Sequence, residues 1–114
     1  MAADDYVKVT SLDKLPPSEM MRVMIGNQEI LLVNIDGKVH ACSNICPHQF
    51  SQLSYGDLEG EEVSCPLHGA TFNVVTGDQL PGKYAEFGPV SIYEVRLDGS
   101  DILVKRPARR GLVR

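Results

Sequence analysis

The sequence predicts an all-β fold: an antiparallel β-sandwich or barrel base with a small inserted subdomain. Three observations point there. Short apolar, β-branched runs recur along the chain. Asp36-Gly37 and Asp98-Gly99, pairs that favour tight hairpin turns, each separate two such runs. No stretch keeps apolar residues at a 3.6-residue period long enough to make a helix. At 114 residues, with 43% hydrophobic and 23% charged residues, the chain has the size and make-up of one water-soluble domain.

Taken in order, Tyr6–Thr10 alternates as a strand does, and Pro16-Pro17 interrupts the chain after it. Met20–Ile25 and Glu29–Ile35 are strands joined through Gly26-Asn27. Asp36-Gly37 then returns the chain along Val39–Cys42. Met20, Met21 and Met24 are expected as core filler beside a strand. The segment that follows differs from its flanks, with only short strand candidates at Glu62–Ser64 and Ala70–Val74. Tyr93–Leu97 and Ile102–Val104 flank Asp98-Gly99 as a second hairpin. The expected division is a base of residues 1–42 and 75–105, an inserted subdomain of 43–74, and a basic tail of 106–114.

Charge is uneven. Residues 105–114 hold five basic residues and no acid, whereas the first 104 hold six Lys/Arg against fifteen Asp/Glu. An acidic body can steer towards a basic partner. The tail lacks the interleaved aromatics and the sizeable patch of a nucleic-acid binder, and reads as a solvated chain end. No run reaches the length of a membrane span, and the start MAADDYVKVT lacks a secretory pattern, so a cytoplasmic location is expected. Three cysteines, an odd number, point to metal binding or thiols rather than a disulfide scaffold.

The chemistry sits in two clips, Cys46-Pro47-His48 and Cys65-Pro66-Leu67-His68, with sixteen residues between His48 and Cys65. Each supplies one sulfur and one nitrogen. A mixed set of this kind can divide by donor, the cysteines on one iron and the histidines on another, as a two-iron cluster with nitrogen ligands requires. Pro47 and Pro66 restrict the preceding cysteines to extended backbone. Gly69 lets backbone approach closely after His68.

The pattern CPH, sixteen residues, then CPLHG resembles the Rieske [2Fe–2S] motif. The resemblance extends through Asn44-Ile45, Gly56-Asp57-Leu58-Glu59-Gly60, Phe72-Asn73, Thr76-Gly77, Leu80-Pro81-Gly82 and Tyr93-Glu94-Val95, covering about residues 6 to 105. It implies a Rieske-like fold with one [2Fe–2S] cluster. Cys46 and Cys65 would hold the inner iron, and His48 and His68 the outer one. Pro81 would belong to a shielding loop. The resemblance also implies a soluble ferredoxin, not an enzyme, that carries single electrons. Its donor would be an NAD(P)H-dependent flavoprotein reductase. Its acceptor would be a terminal oxygenase, an aromatic-ring-hydroxylating dioxygenase or related hydroxylase.

The departures carry information too. High-potential Rieske proteins have an extra cysteine in each loop, and the matching positions here are Ser51 and Leu67. Their serine and tyrosine hydrogen-bond donors are matched here by Ala70 and Phe72, which cannot donate. Fewer donors place the expected potential towards the low end of the Rieske range, about −150 mV.

Two other readings fit parts of the sequence. One is a small Rieske-like subunit of assimilatory nitrite reductase. The other is a structural zinc module built from Cys42, Cys46, Cys65 and His68, which leaves His48 idle. Cys42 is better read as a small buried residue at a strand end, and His40 as an ordinary sheet residue.

Overall fold

The computed structural model describes residues 5–45, 52–66, 70–80 and 89–106. Ten strands form three antiparallel sheets among them. The strands are β1 (Tyr6–Ser11), β2 (Met20–Ile25), β3 (Gln28–Ile35), β4 (Lys38–Ser43), β5 (Asp57–Glu59), β6 (Glu62–Ser64), β7 (Thr71–Asn73), β8 (Ile92–Tyr93), β9 (Val95–Asp98) and β10 (Asp101–Lys105). The sheets run β1-β10-β9, β2-β3-β4-β8 and β5-β6-β7. Beyond Asp5, helical structure among the described residues is confined to single 3₁₀ turns at Leu12–Lys14 and Leu53–Tyr55.

β3 organises the interior. Ile30, Leu31, Leu32 and Val33 are fully buried in succession, so both of its faces are covered. Successive side chains in a strand point to opposite faces. Ile30 and Leu32 join Val39, Ala41, Ile102 and Val104 in one aliphatic cluster, against the β1-β10-β9 sheet. Leu31 and Val33 join Cys42, Leu53, Val63, Cys65, Ala70 and Phe72 in the other, against β5-β6-β7. The register is consistent with this split, pairing Leu32 with Ala41 and Leu31 with Cys42.

The turn after β3 is fixed locally. Asp36 and Gly37 both have positive φ, 54° and 93°, as a two-residue hairpin turn of this hand requires. Asn34, 3% exposed, accepts from the Gly37 N–H at 2.8 Å and donates to the Leu15 carbonyl at 2.8 Å.

Two expectations need correction. The run Tyr93–Leu97 is not one strand. Ile92–Tyr93 pairs with β4, and Val95–Asp98 pairs with β10, so the chain changes sheet at Glu94. Glu94 anchors the crossing: its carbonyl accepts from Lys105 N at 2.9 Å and its carboxylate from the Tyr6 hydroxyl at 2.7 Å. Met24 is not core filler. It is 44% exposed near the Gly26-Asn27 turn, its sulfur 3.5 Å from the Arg22 guanidinium. Met20 and Met21 do pack inward, on opposite faces of the sheet.

Candidate metal centre

The second clip grows from the β6–β7 hairpin, in which Val63 faces Phe72 and Ser64 faces Thr71. The pairing continues one step, Cys65 N donating to the Ala70 carbonyl at 2.7 Å. Cys65 therefore stands at the root of the loop, 2% exposed. The first clip leaves β4 through Asn44 and Ile45. Ile45 bridges to Gln52, and Leu53 N donates to the Asn44 carbonyl at 2.7 Å. These contacts join the residues before position 46 to those after position 51. Cys46, His48 and His68 lie outside the described residues, as do Ser51, Leu67, Gly69 and Pro81.

Both loop roots belong to one buried cluster, with Leu53 after the first clip and Cys65 and Ala70 bounding the second. Gly56 enforces the approach: a Cβ there would lie 1.7 Å from the Ser64 carbonyl oxygen. Only glycine lets the segment after the first clip pass so close to β6.

The donor set and this setting fit a Rieske cluster. Two ferric ions, two sulfides and two thiolates cancel in charge, and neutral imidazoles add none. A neutral group suits the apolar wall of Leu31, Val33, Leu53 and Phe72. Ala70 is 4% exposed and Phe72 fully buried; neither offers a side-chain donor.

Cys42 is fully buried in that cluster and in no disulfide. Burial pushes its thiol up to about 12, so it stands as a protonated packing group, as the sequence suggested. His40 is a half-buried sheet residue opposite Val33. Burial, then Lys38, lowers its pKa.

A polar residue to which the sequence assigns no role beyond the motif, Asn44, is central. Asn44 is fully buried, and its backbone N–H donates to the Glu29 carbonyl at 3.0 Å. Its Oδ1 accepts from Ser54 N at 2.8 Å, and its Nδ2 donates to Glu29 Oε1 at 3.2 Å. Arg22 Nε meets the same carboxylate oxygen at 3.0 Å. The Arg22 and Asn44 hydrogen bonds hold the Glu29 carboxyl below its usual range. The available signal was an asparagine two residues before Cys46, directly after a strand.

The face of the β5-β6-β7 sheet away from Leu58, Val63 and Phe72 is acidic. The register puts Asp57 and Ser64 opposite each other, and Glu59 opposite Glu62. Between Lys38 and Lys83 the sequence holds no Lys or Arg.

The Rieske [2Fe-2S] domain family matches residues 5–106. The chain belongs to that family. This Rieske chain is 38% identical over 99 residues to a biphenyl 2,3-dioxygenase ferredoxin component from Rhodococcus jostii (strain RHA1), covering 85% of this chain and 89% of the relative. It is similar in structure to the ferredoxin of carbazole 1,9a-dioxygenase from Nocardioides aromaticivorans IC177. That match has a TM-score of 0.83 and 34% identity, covering 90% of this chain and 98% of the other. A carbazole 1,9a-dioxygenase ferredoxin solved in complex with its oxygenase matches with a TM-score of 0.81 and 26% identity, over 89% and 93% of the chains. A putative NADPH nitrite reductase small subunit matches less well, with a TM-score of 0.71 and 25% identity over 87% and 96%. The Rieske chain carries one [2Fe–2S] cluster and is an electron-transfer component, not itself an enzyme. Among the described residues no helix is long and apolar enough to cross a membrane.

Proposed function

We propose that this Rieske ferredoxin carries single electrons from an NAD(P)H-dependent flavoprotein reductase to the terminal oxygenase of an aromatic-ring-hydroxylating system, in the cytoplasm. Cys46 and Cys65 hold one iron, and His48 and His68 the other. The cluster supplies a reversible one-electron couple. The chain's residues do the rest. Cys65 is set at a buried root; Leu53 and Phe72 keep water from the sulfur side; Ala70 and Phe72 withhold hydrogen bonds and so keep the potential low. We also propose the division into a base of 1–42 and 75–105, a cluster-bearing unit of 43–74, and a tail of 106–114.

The observation that carries the reading is the shared burial of the two loop roots, within a chain whose relatives are dioxygenase ferredoxin components. The acidic outer face of β5-β6-β7 adds a preference for basic partner surfaces. The nitrite reductase alternative has the weaker structural match.

The test is iron and labile-sulfide analysis of anaerobically purified protein, followed by reconstitution. Wild-type protein is expected to hold two irons and two sulfides per chain. Cys65→Ser and His48→Ala are each expected to lose the visible absorption. Full absorption in His48→Ala, or zinc without sulfide in the wild type, would overturn the ligand assignment. Electron delivery to a nitrite reductase but to no oxygenase would overturn the partner assignment.

A further inference from the structure

We infer that Arg22 and Glu29 are positioning residues for the cluster, acting through Asn44 on the loop that bears Cys46 and His48. This rests on the ligand assignment above.

The argument begins with the sheet. Arg22 on β2 lies opposite Leu31, and Met24 opposite Glu29 at the start of β3. Leu31 faces the cysteine-bearing cluster, so by strand alternation Arg22 and Glu29 lie on that same side. Asn44, one residue past β4, reaches the Glu29 carboxylate there. Its orientation is fixed by chemistry: the Ser54 N–H is a donor and must meet Oδ1, which leaves Nδ2 for the carboxylate.

The result is a continuous tie of Arg22, Glu29, Asn44 and Ser54. It joins the base sheet to both ends of the 46–51 segment. Asn44 lies on the entering side, Leu53 and Ser54 on the leaving side, and Asn44 bonds both through its carbonyl and Oδ1. Each end of the tie is charge-assisted or buried, the class of hydrogen bond whose loss is felt most. Arg22 is 42% exposed and Glu29 23%, so neither is needed to fill the core. Their effect falls on Asn44 and, through it, on where the first clip sits. Without the carboxylate, the Nδ2 group of Asn44 would be buried with an unmet donor. The loop ends could then part, opening the sulfur side to water.

The test uses the holo-protein and two readouts: loss of visible absorption in excess EDTA, and the thermal midpoint. Glu29→Ala is expected to release the cluster about tenfold faster than wild type. Glu29→Gln keeps an acceptor for Asn44 and is expected to stay within about threefold. Arg22→Gln, at an exposed position, should fall between them and guards against misfolding of Glu29→Ala. Two controls isolate the effect. Ile102→Val lowers stability from the opposite cluster, and Lys8→Ala breaks a comparable surface ion pair, 3.3 Å from Asp101. Release in Glu29→Ala at the wild-type rate overturns the inference. So does faster release that Ile102→Val reproduces at a matched thermal midpoint. A colourless wild type overturns the ligand assignment itself and this inference with it.

Discussion

The two buried clusters on either side of β3 are built differently. On the β1-β10-β9 side the buried members are Leu15, Ile25, Ile30, Leu32, Val39, Ala41, Ile102 and Val104, and the covering strands β1, β9 and β10 have six, four and five residues. On the other side the strands β5, β6 and β7 have three residues each, and the buried set includes two cysteines and an alanine. The longer strands pair over four or five positions each. The short ones need outside help: the close pass at Gly56, the Ile45–Gln52 bridge and the Asn44 tie.

Variants at matched depth should separate the two sides. Ile102→Ala and Phe72→Ala both remove fully buried side chains and should cost about 2–5 kcal/mol and 3–5 kcal/mol of unfolding free energy. Only Phe72→Ala should also speed cluster loss, as followed by visible absorption during denaturant titration. Equal cluster lability in both would mean that the two sides act as one.

A smaller effect is expected from Phe72→Tyr. The added hydroxyl supplies a donor on the redox side, and hydrogen bonding there favours the more negative reduced state. The potential, read by redox titration, should rise by an amount on the order of tens of millivolts. A fall would contradict the view that missing donors keep it low.

The smallest effect concerns Cys42. Its thiol titrates near the usual 9.0 when unfolded and is pushed up to about 12 by burial in the native state. The folded pKa is the higher one, so the unfolded chain releases its proton first. The stability linked to the neutral thiol is complete below about 9 and is lost as pH rises towards about 12. Cys42→Ala should flatten the decline of stability over that window in apo-protein denaturation curves. An unchanged slope would show that Cys42 does not set it.

Much of this was legible in the sequence because it is periodic. Met20–Ile25 and Glu62–Ser64 were read with the bounds the structure gives them, and β3 differs from its reading by one residue. The sheet change at Glu94 was not legible, since apolar alternation looks the same whether a strand continues or switches partners. β5 was seen only as part of a motif, since Asp57-Leu58-Glu59 sets one apolar residue between two acids and has no β-branched residue, whereas Glu62–Ser64 has Val63. The cysteines and histidines of the two clips stand out by residue type and spacing. Asn44 does not, because its role depends on Glu29 and Arg22, which only the folded sheet brings to it.

β3 acts as a party wall between the two halves. Were it to shift by one position against its neighbours, Leu31 and Val33 would trade sides with Ile30 and Leu32, and every contact in both halves would be remade. The left-handed pair at Asp36 and Gly37, braced by Asn34, denies that shift. A turn at the far end of the hairpin thus guards the alignment of the half that holds Cys65, and loosening it should let the metal go before the protein melts.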